Sequence, residues 1–280
     1  MTARTGTGLA RGEGRTFGAI TAVAGVAIVL DLVGASATLV FTVAGAGVAG
    51  MAHILGVATE EAGEAAGPRL SALLNATFGN AAEVIIVVLS IRRGGELIDV
   101  ARYSIIGSVL GNVLLILGAS ILCAGLRHGR QRFEGRVAGV NATMLLLATG
   151  TLAIPTLFAH ADGVTTRDAE RLSLGVAIVM LVLYIAYLVQ AFQHPEDIGS
   201  DRGDGPGPRW STRLALAMLA YSALATGVLS EVLVGSIEPT IRATGVSPLF
   251  VGLIVVPLIG NVAEHFAAVR LAWSGALDFA

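Results

Sequence analysis

Eight long apolar stretches divide this chain, and few environments other than a membrane accommodate such a pattern. They run at about 16–30, 32–54, 70–91, 103–126, 137–158, 172–192, 213–236 and 248–272, and a helix crossing a bilayer needs about 20 largely apolar residues. The first is short and meets the second around Asp31, so it is expected to lie at the periphery. Of 280 residues, 54% are hydrophobic and only 14% charged, against about a quarter charged in a soluble domain. The expected class is all-α: a polytopic, multi-pass integral membrane protein with about eight transmembrane helices.

Composition narrows the partners. A net charge of -2 implies no polybasic surface, hence no nucleic acid. The lipid bilayer is the expected surrounding, and a homo-oligomer is left open. Cys123 is the single cysteine and sits in an apolar run, as buried filler. The five histidines show no zinc-ligand spacing, and no cofactor is expected.

All 18 basic residues are arginines, and their distribution suggests an orientation. With the N-terminus inside, twelve fall on the inner side and six on the outer: Arg92, Arg93, Arg102, Arg167, Arg171 and Arg242. That favours a cytoplasmic N-terminus and a place in the cell membrane, with Arg92, Arg93 and Arg102 speaking against it. The stretch 194–209, HPEDIGSDRGDGPGPR, is rich in Gly, Pro and acid and reads as a solvated linker. The expected organisation is a cytoplasmic tail (1–15), a peripheral first helix (16–30), a first transmembrane unit (32–192), the linker (193–211) and a second unit (212–280) that is incomplete.

The two units echo one another. GNAAE at 79–83 returns as GNVAE at 260–264, and a hydroxyl–Glu pair precedes each one span earlier, Thr59–Glu60 and Ser230–Glu231. The two motifs lie in spans three and eight. An odd number of crossings separates them, so their helices run in opposite directions, as inverted-topology repeats with a shared midplane site require. Pro257 removes a backbone donor just before the second motif. Gly79 and Gly260 favour local unwinding, although close packing explains them as well. The break in the first motif is less certain, because no proline precedes it.

Glu83 and Glu264 are costly in hydrocarbon unless a cation, an arginine or a proton neutralises them. No arginine lies at motif depth. Two carboxylates facing one another repel, and either a divalent cation or protons removes that repulsion. Competition of this kind is the coupling step of an exchanger, with two protons per divalent ion as the expected ratio. A hard ion such as Ca2+ takes about six to eight oxygens. Glu83, Glu264, Asn80, Asn261, Thr77 and freed carbonyls offer them, and no soft ligand is near. Manganese and sodium remain chemically open. His265 is a candidate proton relay or a structural hydrogen-bonding group. Glu60 and Glu231 are placed at span ends, as an entrance or gate or as ordinary solvated ends. Ser104, Ser108 and Asn112 recur every four residues and form a polar stripe that lines the site or packs beside it. Asn75 completes the candidate cavity lining, together with Gly79, Gly260 and Pro257. A cation channel or a structural membrane protein is the alternative from another class. An enzyme is not expected, since neither an HExxH pair nor a serine-nucleophile motif occurs.

GPRLSALLNATFGNAAEVI (67–85), VGLIVVPLIGNVAEHFAAV (251–269), ARYSIIGSVLGNVLLILG (101–118) and ATEEAGEAAGP (58–68) resemble the cation/proton antiporters of the calcium/cation exchanger superfamily. The resemblance covers roughly 20–280. It implies export of cytosolic Ca2+ against proton entry, with Glu83 and Glu264 as the central cation residues supported by Asn80 and Asn261. Sodium/calcium exchangers share the superfamily fold and are the alternative, but the GNAAE-like motifs and His265 favour proton coupling. The resemblance implies an initial helix and two inverted bundles. The chain stops at LDFA before a helix mirroring YSIIGSVLGN appears, so the second unit is expected to lack about three helices. Asn75 and Thr77 have apolar counterparts, Val256 and Leu258, so an asymmetric site is expected.

Overall fold

A computed structural model describes residues 9, 11–130, 135–193 and 207–274. Among them there is no strand. The helices are α1 (Arg11–Leu32), α2 (Ala37–Ala66), α3 (Pro68–Phe78), α4 (Ala81–Arg93), α5 (Leu97–Leu110), α6 (Leu117–His128), α7 (Gly135–Ala159), α8 (Thr166–Gln193), α9 (Thr212–Thr244), α10 (Pro248–Phe250), α11 (Val256–Gly260) and α12 (Val262–Ser274). Two π-helical turns, Gly111–Ile116 and Val251–Val255, join α5 to α6 and α10 to α11.

Local chemistry sets the boundaries. Gly34 takes a positive φ of 69° after α1, a conformation that only glycine adopts without cost, and the Ala35 N–H returns to the Leu30 carbonyl at 2.9 Å. Pro68 opens α3 at a position where its missing N–H has no partner to lose. Thr165 and Asp168 cap α8 reciprocally: the Thr165 hydroxyl donates to Asp168 Oδ2 at 2.6 Å, and the Asp168 N–H donates to Thr165 Oγ1 at 3.3 Å. Ser211 accepts from the Leu214 N–H to start α9, which ends on Gly245 in the left-handed region.

The membrane spans differ in detail from the expected eight. Five helices are long and apolar enough to cross a bilayer: Gly12–Leu32, Ala37–Ala66, Leu97–His128, Thr166–Gln190 and Thr212–Thr244. A sixth arises if Pro248–Gly260 and Glu264–Ser274, bent by 62°, make one broken span. The expected third span is split into α3 and α4, each too short to cross alone, and Leu145–Ala159 is a shorter apolar stretch. α1 begins at Arg11, inside the stretch assigned to the tail. α2 and α9 continue to Ala66 and Thr244, so Glu60 and Glu231 lie inside helices rather than at span ends. The expectation read loss of hydropathy as the end of a helix, but an amphipathic segment continues the helix beyond that point.

The protein is an all-α polytopic membrane fold with inverted-topology repeats, and α2 and α9 hold its centre. Met51, Ile54 and Leu55 pack against a wall of Leu229, Leu233, Val234 and Ile237, all almost fully buried. Hydrophobicity alone does not join helices in lipid, so close approach at small residues matters. At Gly47 a Cβ would stand 3.2 Å from Leu229 Cδ1, and at Gly50 it would strike Ile20 of α1 at 2.7 Å. The other crossing that positions the site runs between the two units. α5 lies against the π turn and α11 of the second broken span, where an added Cβ at Gly107 would strike Pro257 Cγ at 2.7 Å. α8 contacts α3 and α7 but buries almost nothing; Leu174, Ile178 and Leu181 face outward, as a lipid-facing helix requires.

Candidate functional site

The two repeated motifs form the same local structure. After α3 the chain breaks at Asn80 with φ -101° and ψ 13°; after α11 it breaks at Asn261 with φ -101° and ψ 15°. In each case the asparagine carbonyl accepts the i→i−4 hydrogen bond that opens the following helix, from the Val84 N–H at 3.1 Å and from the His265 N–H at 2.9 Å. Glu83 and Glu264 therefore sit in the first turns of α4 and α12, where aligned N–H groups favour negative charge. The first break needs no proline. Gly79 itself keeps helical angles, φ -55° and ψ -44°, with its N–H on the Asn75 carbonyl, and the departure falls on Asn80.

The breaks meet. Glu83 Oε1 accepts from Asn261 Nδ2 at 2.6 Å and from the Ser108 hydroxyl, so one carboxylate of the first unit is bonded to the motif asparagine of the second. Asn261 is 1% exposed, and its Nδ2 also reaches Ser108 Oγ at 3.5 Å. Gly260 makes this approach feasible: a Cβ at that position would stand 2.6 Å from Glu83 Cγ. Glu264 follows Asn261 by three residues, in the first turn of the helix that begins at this break. One carboxylate oxygen of Glu264, Oε2, is buried without a hydrogen-bond partner among the described residues. His265 Nε2 meets Asn112 Oδ1 at 3.3 Å, while its buried Nδ1 has no partner among them. The polar stripe thus divides. Ser108 meets Glu83 and Asn112 meets His265, whereas Ser104 is buried and donates back to the Ala101 carbonyl at 2.8 Å. Pro257 is buried and shapes the approach of α5.

Other candidates stand apart. Asn75, Thr77 and Asn80 have exposed side chains, and the Thr77 hydroxyl donates to the Leu73 carbonyl of its own helix at 2.8 Å. Glu60 is exposed on α2. Glu231 is engaged by arginines: Arg92 at 3.0 Å and Arg93 at 2.8 Å. The linker expected at 193–211 lies largely outside the described residues. Among those described, no three His, Cys, Asp or Glu side chains gather into a metal-holding group. A hard cation between Glu83 and Glu264 would therefore draw its remaining donors from amide, hydroxyl and backbone oxygens.

The sequence reading passed over Glu61. It is 2% exposed, accepts the Arg209 and Trp210 N–H groups at 2.8 and 3.0 Å, and takes Arg209 Nε at 2.6 Å. Glu13 of α1 takes the same guanidinium at 2.8 Å. The signal was present: Ile54, Ala58 and Glu61 recur at helical spacing, and the first two are buried apolar residues.

The sodium/calcium exchanger protein family model matches residues 36–193 and 214–280, which include both motifs. The chain belongs to this family. Relatives within reach of the family are similar over most of the chain. A Ca(2+)/H(+) antiporter of Synechocystis sp. is 34% identical over 261 residues, covering 86% of this chain and 69% of that protein. Vacuolar cation/proton exchanger 1 of Arabidopsis thaliana is 35% identical over 269 residues, covering 90% of this chain and 58% of that one. The solved structure of native YfkE aligns with a TM-score of 0.77 at 30% identity, over 94% of this chain and 74% of the other. An H+/Ca2+ exchanger CAX structure aligns at 0.70 over 96% and 68% with 14% identity, a likeness of fold alone. This exchanger-family chain accordingly carries its two motif acids on broken helices within the residues that the family model matches.

Proposed function

We propose that this chain exchanges Ca2+ for protons across a membrane, binding either at Glu83 and Glu264 and exposing them to each side in turn. The carrying observation is the convergence of the two breaks. Glu83 is tied to Asn261 across the repeat boundary, and Glu264, three residues after Asn261, keeps a buried oxygen with no partner among the described residues. An unsatisfied carboxylate oxygen in a membrane interior has to take a cation or a proton. The names of the relatives, a Ca(2+)/H(+) antiporter and a vacuolar cation/proton exchanger, agree with that choice.

The residues divide the work. Glu83 and Glu264 hold charge. Ser108 and the Asn261 amide donate to Glu83 as found; rotated by half a turn, the same amide offers its oxygen to a cation instead. Neutralising both carboxylates takes two protons per Ca2+, which makes the exchange electroneutral. Asn112 orients His265, whose free Nδ1 provides a path for a proton near the site. We place the protein in the cell membrane, and the arginine asymmetry supports a cytoplasmic N-terminus. The bilayer is its partner, and no resident cofactor is invoked.

Proteoliposomes given radioactive calcium in the external medium test this reading. A proton gradient should drive uptake without building a membrane potential, and a sodium gradient should not substitute. Glu83→Gln and Glu264→Gln should each reduce uptake to the level of empty vesicles. Undiminished uptake in both variants, or flux that needs no opposing proton movement, overturns the proposal.

A further inference from the structure

α4 carries Glu83 in its first turn and Arg92 and Arg93 in its last. At 1.5 Å per residue the arginines stand roughly 14 Å along the axis from the site, at one mouth of it. There they grip a single carboxylate of α9. Arg92 Nη2 donates to both oxygens of Glu231, at 3.1 and 3.0 Å. Arg93 Nη2 donates to Glu231 Oε1 at 2.8 Å and to the Glu231 backbone carbonyl at 3.3 Å. The Arg93 guanidinium lies over Gly235, one turn further along α9, where a Cβ would come within 3.0 Å of Nη1. In the turn after α4, Gly95 leaves room for Glu238, whose Oε1 would be 3.1 Å from a Cβ. Beyond the Glu231 pairs, the described ion pairs are Asp99–Arg102 and Glu238–Arg242 within single helices, and those of Arg209 with Glu13 and Glu61.

The contact has a particular place in the architecture. α9 belongs to the central α2–α9 pair, while α4 belongs to the broken span that carries the first acid. Any motion that opens the site past the C-terminal end of α4 has to slide these two bodies along one another. The joint is open to solvent: the side chains of Arg92, Arg93 and Glu231 are 66%, 37% and 40% exposed. Exposed ion pairs are individually weak, so a cluster of them holds one state in preference and still releases within a transport cycle.

We propose that the Arg92–Arg93–Glu231 clasp is a latch that closes the site toward the face at which α4 ends. It rests on the alternating-access reading above and adds residues outside the ion site. The reporter is a thiol in the site, Ser108→Cys in a Cys123→Ser background. Its labelling by a membrane-impermeant maleimide is timed from each face of reconstituted vesicles. Glu231→Gln should raise labelling from the α4-end face about three- to tenfold and leave the other face unchanged, as should Arg92→Gln combined with Arg93→Gln. All three substitutions together should do no more than either set, and exchanging Arg93→Glu with Glu231→Arg should restore most of the protection. Unchanged labelling from that face in both sets, effects that multiply when combined, or failure of both sets to fold overturns the latch. If the reporter labels as expected but the parent protein, with Ser108 intact, does not exchange Ca2+ for protons, the latch stands and the antiport reading falls. The reverse pattern does the opposite.

Discussion

At the scale of single residues, glycine decides how near the two acids' helices come. Gly260 has a heavy neighbour, Glu83 Cγ, where its Cβ would be, whereas Gly118 on α6 has nothing within 4 Å. Gly260→Ala should push Glu83 off its bond to Asn261 and cost about 1–3 kcal/mol through overpacking. Gly118→Ala should be neutral or stabilise by up to about 1 kcal/mol, because alanine restricts the unfolded helix. Thermal unfolding in detergent compares them; a Gly260→Ala protein as stable as Gly118→Ala would deny the close approach. The acids and Asn261 were legible in the sequence because a buried carboxylate in an apolar run has few explanations. The same logic offers Thr77 and Asn80 as metal ligands and Asn75 as cavity lining, and in the fold all three are exposed. A motif shows which residues are near the break but not which side of the helix each one takes. Glu61 shows the complementary gap. Its neighbour Glu60 drew attention by echoing Glu231, while helical spacing from Ile54 and Ala58 marked Glu61 as the buried one.

At the scale of elements, the two breaks have matching dihedrals although a proline precedes only the second. The proline is therefore not what breaks the helix. In the first copy a glycine followed by an asparagine is sufficient, and Asn261 is preceded by Gly260 in the same way. Pro257 instead packs, close to Gly107 of α5. Pro257→Ala should keep the break and leave calcium uptake within about threefold of the parent, the modest cost of a lost contact. The Asn261 N–H is held by the Pro257 carbonyl at 3.0 Å, so amide hydrogen exchange should still show an unprotected step just after it, in the first turn of α12; a continuous protected helix through that turn would mean that proline is required after all. Hydropathy could locate both motifs but not this division of labour, because a break is a property of backbone dihedrals and composition records only the residues that permit it. The same limit explains the span count. A stretch split by a break reads as one crossing in hydropathy and as two short helices in space.

At the scale of the whole molecule, the start of α9 is fastened to the far end of α2 and to α1. Arg209 and Trp210 directly precede α9. Glu61 receives their two backbone N–H groups and the Arg209 side chain, Glu13 receives Arg209 again, and Trp210 stands edge-on to Phe17 at 5.9 Å. Three helices from both units thus converge on one nearly buried carboxylate. A buried charge that loses its partners is expensive, so the ties are expected to hold the α1–α2–α9 group as one body. That body is what the Arg92–Arg93–Glu231 clasp would grip from the other side. Glu61→Gln keeps the shape of the side chain but weakens the bond to arginine and to both N–H groups. Because Arg209 is itself half exposed, the loss should be about 1–3 kcal/mol rather than the full cost of a sealed pair. Glu60→Gln, one residue away but facing outward, should change stability by less than about 0.5 kcal/mol. Thermal unfolding of the two variants side by side decides it. Equal effects would mean that the end of α9 is not held through Glu61, and a body assembled that loosely could not transmit the release of a clasp on α9 to the two acids.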